Sequence, residues 1–136
     1  YYDSIEGGIV ETRIENLTGF YGKEFKDRMI IRNSGVTAEN FFERIKMIHD
    51  LKIESKDEYM YDTGLLDTNG EKIYKFEPTI YILDSLGMLM PDQYANEDEL
   101  SGQMSTTASA KTNSAIFRRI IALLKSANII LRRCRY

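Results

Sequence analysis

The chain has 136 residues, 43% of them hydrophobic and 29% charged, with a net charge of −3. That size fits one domain, and the composition excludes disorder throughout. No apolar run approaches the roughly 20 residues of a membrane span, and the opening YYDSIEGG has neither the basic nor the apolar region of a signal peptide. One cysteine, Cys134, and one histidine, His49, exclude an internal disulfide and a Cys/His zinc site within one chain, which suits a reducing, cytoplasmic setting.

In chain order, YYDSIEGGIV starts as a short strand and runs into a Gly7-Gly8 loop signal. VETRIENLTG predicts a short helix, because Val10, Ile14 and Leu17 share a face and Gly19 stands where a C-terminal glycine belongs. TGFYGKEF reads as a loop, and RMIIRNSG (28–35) as a strand with a turn. Thr37 is placed to cap a helix over 38–52, with Glu39 in its first turn and Phe41, Phe42, Ile45, Ile48 and Leu51 as its apolar face. Residues 53–78 form an excursion with a hairpin centred on Asn69-Gly70. Ile80-Tyr81-Ile82-Leu83 is a continuous apolar run, as expected of a strand covered on both faces. Residues 92–113 are polar and rich in Ser, Thr and Ala, and read largely as loop. SAIFRRIIALLKSAN predicts a helix over 114–128, and NIIL a last strand that turns basic. Strands alternating with helices imply an α/β fold with a mainly parallel sheet, flanking helices and an inserted β-hairpin.

Charge is unevenly spread. Residues 111–136 contain seven Lys and Arg and no acid, leaving −10 on the first 110 residues. Such a segment reads either as a polyanion-binding face or as a solvated helix face with a charged tail.

Asp84 follows the apolar run directly. An acid there lies at the carboxyl edge of a parallel sheet, where ligands of α/β folds bind and where a carboxylate holds Mg²⁺ directly or through water. The other reading is a cap or turn aspartate. YYDSIEGG places Asp3 and Glu6 at the end of a second strand, where a glutamate would serve as general base toward water.

The order and wording of four stretches resemble the core ATPase domain of RecA-type recombinases, phage-encoded ones especially. YYDSIEGG resembles the strand bearing the catalytic glutamate, and TIYILDSLGMLMP the Walker B strand. SGQMSTTASAK resembles the first DNA-binding loop, and TNSAIFRRIIALLKSANIIL the helix and strand that follow it. The resemblance implies a RecA-like P-loop NTPase core, a single partial domain over 1–136 that is incomplete at both ends. It implies ATP with Mg²⁺ as cofactors of the intact protein, Asp84 as the Walker B residue acting on Mg²⁺ indirectly, and Ser85 as its neighbour at the nucleotide. Glu6 would be the catalytic glutamate, although two residues separate it from Asp3 where the family has one. Gly102, Met104, Lys111 and Arg118 would contact single-stranded DNA, Met104 as an apolar wedge and Lys111 through phosphate. Arg118 and Arg119 read as phosphate contacts or subunit-interface residues, and equally as an exposed helix face. Tyr1, Tyr2, Tyr81 and Tyr94 read as stacking or as packing residues.

The family's phosphate loop, G-x-x-x-x-G-K-S/T, is absent from these residues; Gly22-Lys23 is followed by Glu24. The chain is therefore expected to start after that loop and to have little ATPase activity alone. The strand at Ile129–Leu131 is expected to form a free edge, favouring self-association into an oligomer or filament. The competing reading is a non-catalytic α/β scaffold that keeps the fold alone.

Overall fold

A computed structural model describes residues 1–5, 11–33, 36–92 and 102–133, with backbone only for 102–109. Its strands are β1 (Tyr2–Ser4), β2 (Ile31–Arg32), β3 (Met60–Leu66), β4 (Lys72–Phe76), β5 (Thr79–Asp84) and β6 (Ile129–Arg133). The helices are α1 (Glu11–Thr18), α2 (Gly22–Arg28), α3 (Ala38–Glu54), α4 (Lys56–Tyr59) and α5 (Gly102–Ser126). Four strands form one parallel sheet in the order β2-β1-β5-β6, while β3 and β4 form an antiparallel hairpin. The α/β expectation with an inserted hairpin holds at that level.

α3 starts where Thr37 accepts the Asn40 amide, satisfying one of the free N–H groups of the first turn. Its Phe41, Ile45 and Ile48 pack with Ile116 and Ile120 of α5 over Tyr81, Leu83 and Ile129 of the sheet. Leu51, expected on that face, is 44% exposed. Lys52 takes the inward position instead. It is 3% exposed and donates to the carbonyls of Glu77 and, at 3.0 Å, Ala127. Burial pulls its pKa below the ordinary lysine value. Its methylene stem fills the space an apolar residue would, and its ammonium joins the end of α3 to the segments entering β5 and β6.

Four other expectations change. Residues 102–113 are helical, not loop: α5 starts twelve residues before the predicted start, and no Gly or Pro interrupts 103–126. Gly22–Arg28 is a helix, not a loop. Buried Phe25 anchors it, Glu24 and Arg28 pair at 3.3 Å, and acid and base sit at the ends that the helix dipole favours. The 28–35 strand shrinks to Ile31–Arg32. Finally, β5 is not covered on both faces. Tyr81 and Leu83 are fully buried, whereas Ile80 is 55% exposed and pairs with half-exposed Ile130 on the other face. α3 and α5 pack on the first face, which explains the alternation.

β6 has β5 on one side and forms an edge of the sheet. Arg132 and Arg133 are therefore exposed rather than buried in a central strand. Arg135 lies outside the described residues.

Candidate functional site

β1 and β5 run side by side and end together, with Ser4 level with Asp84 and the Ile5 amide donating to the Asp84 carbonyl. This is the carboxyl edge of the sheet. Asp84 is the last residue of β5. Its peptide bond to the buried Ser85 is cis, and a 3₁₀ turn over Leu86–Met88 follows.

The Asp84 carboxylate is held from one side. The Tyr2 hydroxyl donates to Oδ2 at 2.7 Å, which fixes the rotation of the group. Oδ1 is buried and has no hydrogen-bond partner among the described residues. A buried carboxylate oxygen in that condition can accept a further donor or a cation, because leaving such an acceptor unmet is unfavourable. Among the described residues no basic side chain pairs with Asp84.

Asp3, on the neighbouring strand, projects to the other face of the sheet. Arg44 of α3 donates to its Oδ2 at 2.5 Å, and the Tyr81 hydroxyl donates to the same oxygen. Both ions of this pair are almost fully buried. Tyr81 meets Phe41 edge-on at 5.6 Å and stacks on Tyr1 at 5.9 Å. Burial first, and the Asp3 carboxylate second, push its hydroxyl well above the ordinary tyrosine pKa. Two carboxylates thus share the sheet's carboxyl end but differ in state. Asp3 is neutralised by Arg44, while the Asp84 carboxylate has no cationic partner among the described residues.

These residues fit a metal ion in one way. Among the described residues no three His, Cys, Asp or Glu side chains converge as a cage. Asp84 alone offers a fixed carboxylate, which fits a Mg²⁺ ion held largely by water and phosphate. They do not fit a phosphate cradle. The Gly22 amide at the start of α2 already faces the Glu15 carboxylate at 3.3 Å, and Glu24 adds negative charge to that turn.

Comparison of the chain with models of known families, with curated proteins and with solved structures gives no match.

Of the residues singled out in the sequence, Asp84 and Ser85 stand together at the sheet edge. Lys111 and Arg118 lie exposed on α5. Gly102 and Met104 fall in the first turn of that helix, and the Met104 side chain lies outside the described part. Glu6, Tyr94 and Cys134 also lie outside it. Tyr81 is a packing residue. Two contributors were not anticipated, Tyr2 as the hydrogen-bond donor to Asp84 and Arg44 as the partner of Asp3. The signal for Arg44 was present, since a cation at position 44 interrupts the apolar face made by Phe41, Ile45 and Ile48. Among the described residues no helix is long and apolar enough to cross a membrane.

Proposed function

We propose that this chain is the Walker B-bearing part of a RecA-like recombinase ATPase domain, whose complete form binds ATP with Mg²⁺ and single-stranded DNA in homologous recombination or repair. The observation that carries the reading is Asp84. It ends an inner strand of a parallel sheet, at the edge where α/β folds bind ligands, with one carboxylate oxygen fixed by Tyr2 and the other buried without a partner among the described residues. The strand order β2-β1-β5-β6 supports it, because it sets the strand leading to Glu6 directly beside the strand ending in Asp84.

Each residue has a stated part. Tyr2 orients the Asp84 carboxylate. Arg44 neutralises Asp3, so the charge at this end of the sheet is concentrated on Asp84. Glu6 is assigned as the base that takes a proton from the attacking water. Bound Mg²⁺ would supply charge neutralisation at the phosphates, with Asp84 as its indirect anchor.

The reading requires a phosphate-holding segment that these 136 residues do not contain. By themselves they are expected to show no saturable binding of Mg-ATP by calorimetry. A polypeptide joining them to an in-frame upstream G-x-x-x-x-G-K-S/T segment should hydrolyse ATP, and Asp84→Asn should lower that rate by about two orders of magnitude or more. If no such segment is encoded upstream, or the joined polypeptide is inert, the chain is a non-catalytic α/β scaffold instead.

A further inference from the structure

The hairpin over 60–76 has no part in the reading above, and neither does the far end of α5. Helix α5 contains no acidic residue. Lys111, Arg118 and Lys125 recur every seven residues, so they share one stripe, about 10 Å apart along the axis and about 21 Å from first to last. All three are exposed, on the side opposite buried Ile116 and Ile120. Between them the stripe carries Ser114, Ala115 and Ala122, small residues that let an extended ligand lie close to the helix. None of the three cations has a carboxylate partner among the described residues.

At Lys125 the stripe meets a cavity of about 620 Å³ between the hairpin and the α5–β6 turn. Tyr61, Tyr74, Lys75, Lys125, Ser126 and Asn128 are among the residues that line it. Tyr61 and Tyr74 are about half exposed. The walls are fixed. Asn128 Nδ2 donates to the Phe76 carbonyl at 2.7 Å, and Lys52 holds the adjoining carbonyls of Glu77 and Ala127. Of the hairpin's own acids, Asp62 pairs with Lys72 at 2.8 Å and Asp67 holds the turn amides of Asn69 and Glu71. Lys75 has no such partner among the described residues.

We propose that the α5 stripe and the hairpin cavity form one binding track for single-stranded nucleic acid. The inference rests on the DNA-binding half of the reading above and gives it a place. Spaced cations on a helix without acids suit a phosphodiester backbone, and exposed tyrosines beside lysines suit an unpaired base, whose ring stacks while the lysines meet its phosphate. A duplex, with its bases paired inside, has no base to offer the cavity.

The test is fluorescence anisotropy of the 136-residue chain with a labelled oligothymidylate of about 20 nucleotides, and with a duplex of equal length, over a range of salt. The single strand should bind more tightly than the duplex. Tyr61→Ala and Tyr74→Ala should each weaken it about tenfold, and Tyr74→Phe should retain binding. The combined Lys111→Gln, Arg118→Gln and Lys125→Gln variant should flatten the slope of log affinity against log salt by about 2. Circular dichroism of each variant separates lost binding from lost folding. Tyrosine variants that fold and bind normally, or an unchanged salt slope, overturn the track. If those variants bind normally while Met104→Ala does not, the track falls and the DNA-binding reading stands. If the wild-type chain binds no single strand, both fall.

Discussion

Tyr81 joins the core to the carboxyl end of the sheet, and its ionisation is tied to folding. In the folded chain its hydroxyl is buried and donates to Asp3, so its pKa is raised. An unfolded tyrosine ionises near pH 10, so its unfolded state loses the proton first on raising pH. The stabilisation from Tyr81 is thus present in full below about pH 10 and declines as pH climbs toward the raised folded value. Comparing urea midpoints of the wild type and Tyr81→Phe should show a difference that is steady up to pH 9 and narrows above pH 10. A difference independent of pH would place Tyr81 outside this linkage. At this scale the sequence was partly legible. Asp84 stood out because a charge ended the most apolar run. Tyr2 did not, because pairing a hydroxyl with a carboxylate 82 positions away depends on strand register, which a single sequence does not display.

Among the elements, the joint at the base of the hairpin depends on Lys52. Its ammonium meets two carbonyl oxygens in a buried place, and Asn128, at φ 51°, turns the chain from α5 into β6 beside it. Lys52→Met keeps the stem and removes the donors, leaving those oxygens short of partners. The expected loss is about 1–3 kcal/mol in urea unfolding. A loss below about 0.5 kcal/mol would mean that the stem alone stabilises the joint. Helix α3 and the hairpin were readable in advance, the first from apolar spacing behind a threonine cap and the second from Asn69-Gly70. The first three turns of α5 were not, because their Ser, Thr and Ala carry no apolar period; helical propensity without a breaker extends the helix through them. α2 was missed because seven residues with one buried anchor make a weak pattern.

At the scale of the molecule, among the described residues part of one face of the sheet is exposed and β6 is an edge strand. Ile80 and Ile130 sit side by side on that face, and Ile130 belongs to edge strand β6. Apolar surface beside unpaired strand groups favours contact between copies. Sedimentation velocity should therefore show association that grows with concentration, reduced by Ile130→Lys, which sets a charge on the same strand. A wild-type chain that stays monomeric at every concentration would remove this expectation. The parallel sheet itself was foreseeable from alternating strands and helices. The exposure of Ile80 was not, since Ile80 to Leu83 is equally apolar whichever of them faces out.

Helix α5 has a mechanical consequence. It runs 25 residues, with no glycine or proline after Gly102, and so behaves as a stiff rod of about 37 Å. Its far end borders the hairpin cavity, while Asn113, nearer its start, grips the Leu89 carbonyl at 3.0 Å, five residues past Asp84. A rod cannot tilt at one end alone. Helix α5 therefore links the hairpin cavity at one end of the sheet to the segment that trails Asp84 at the other.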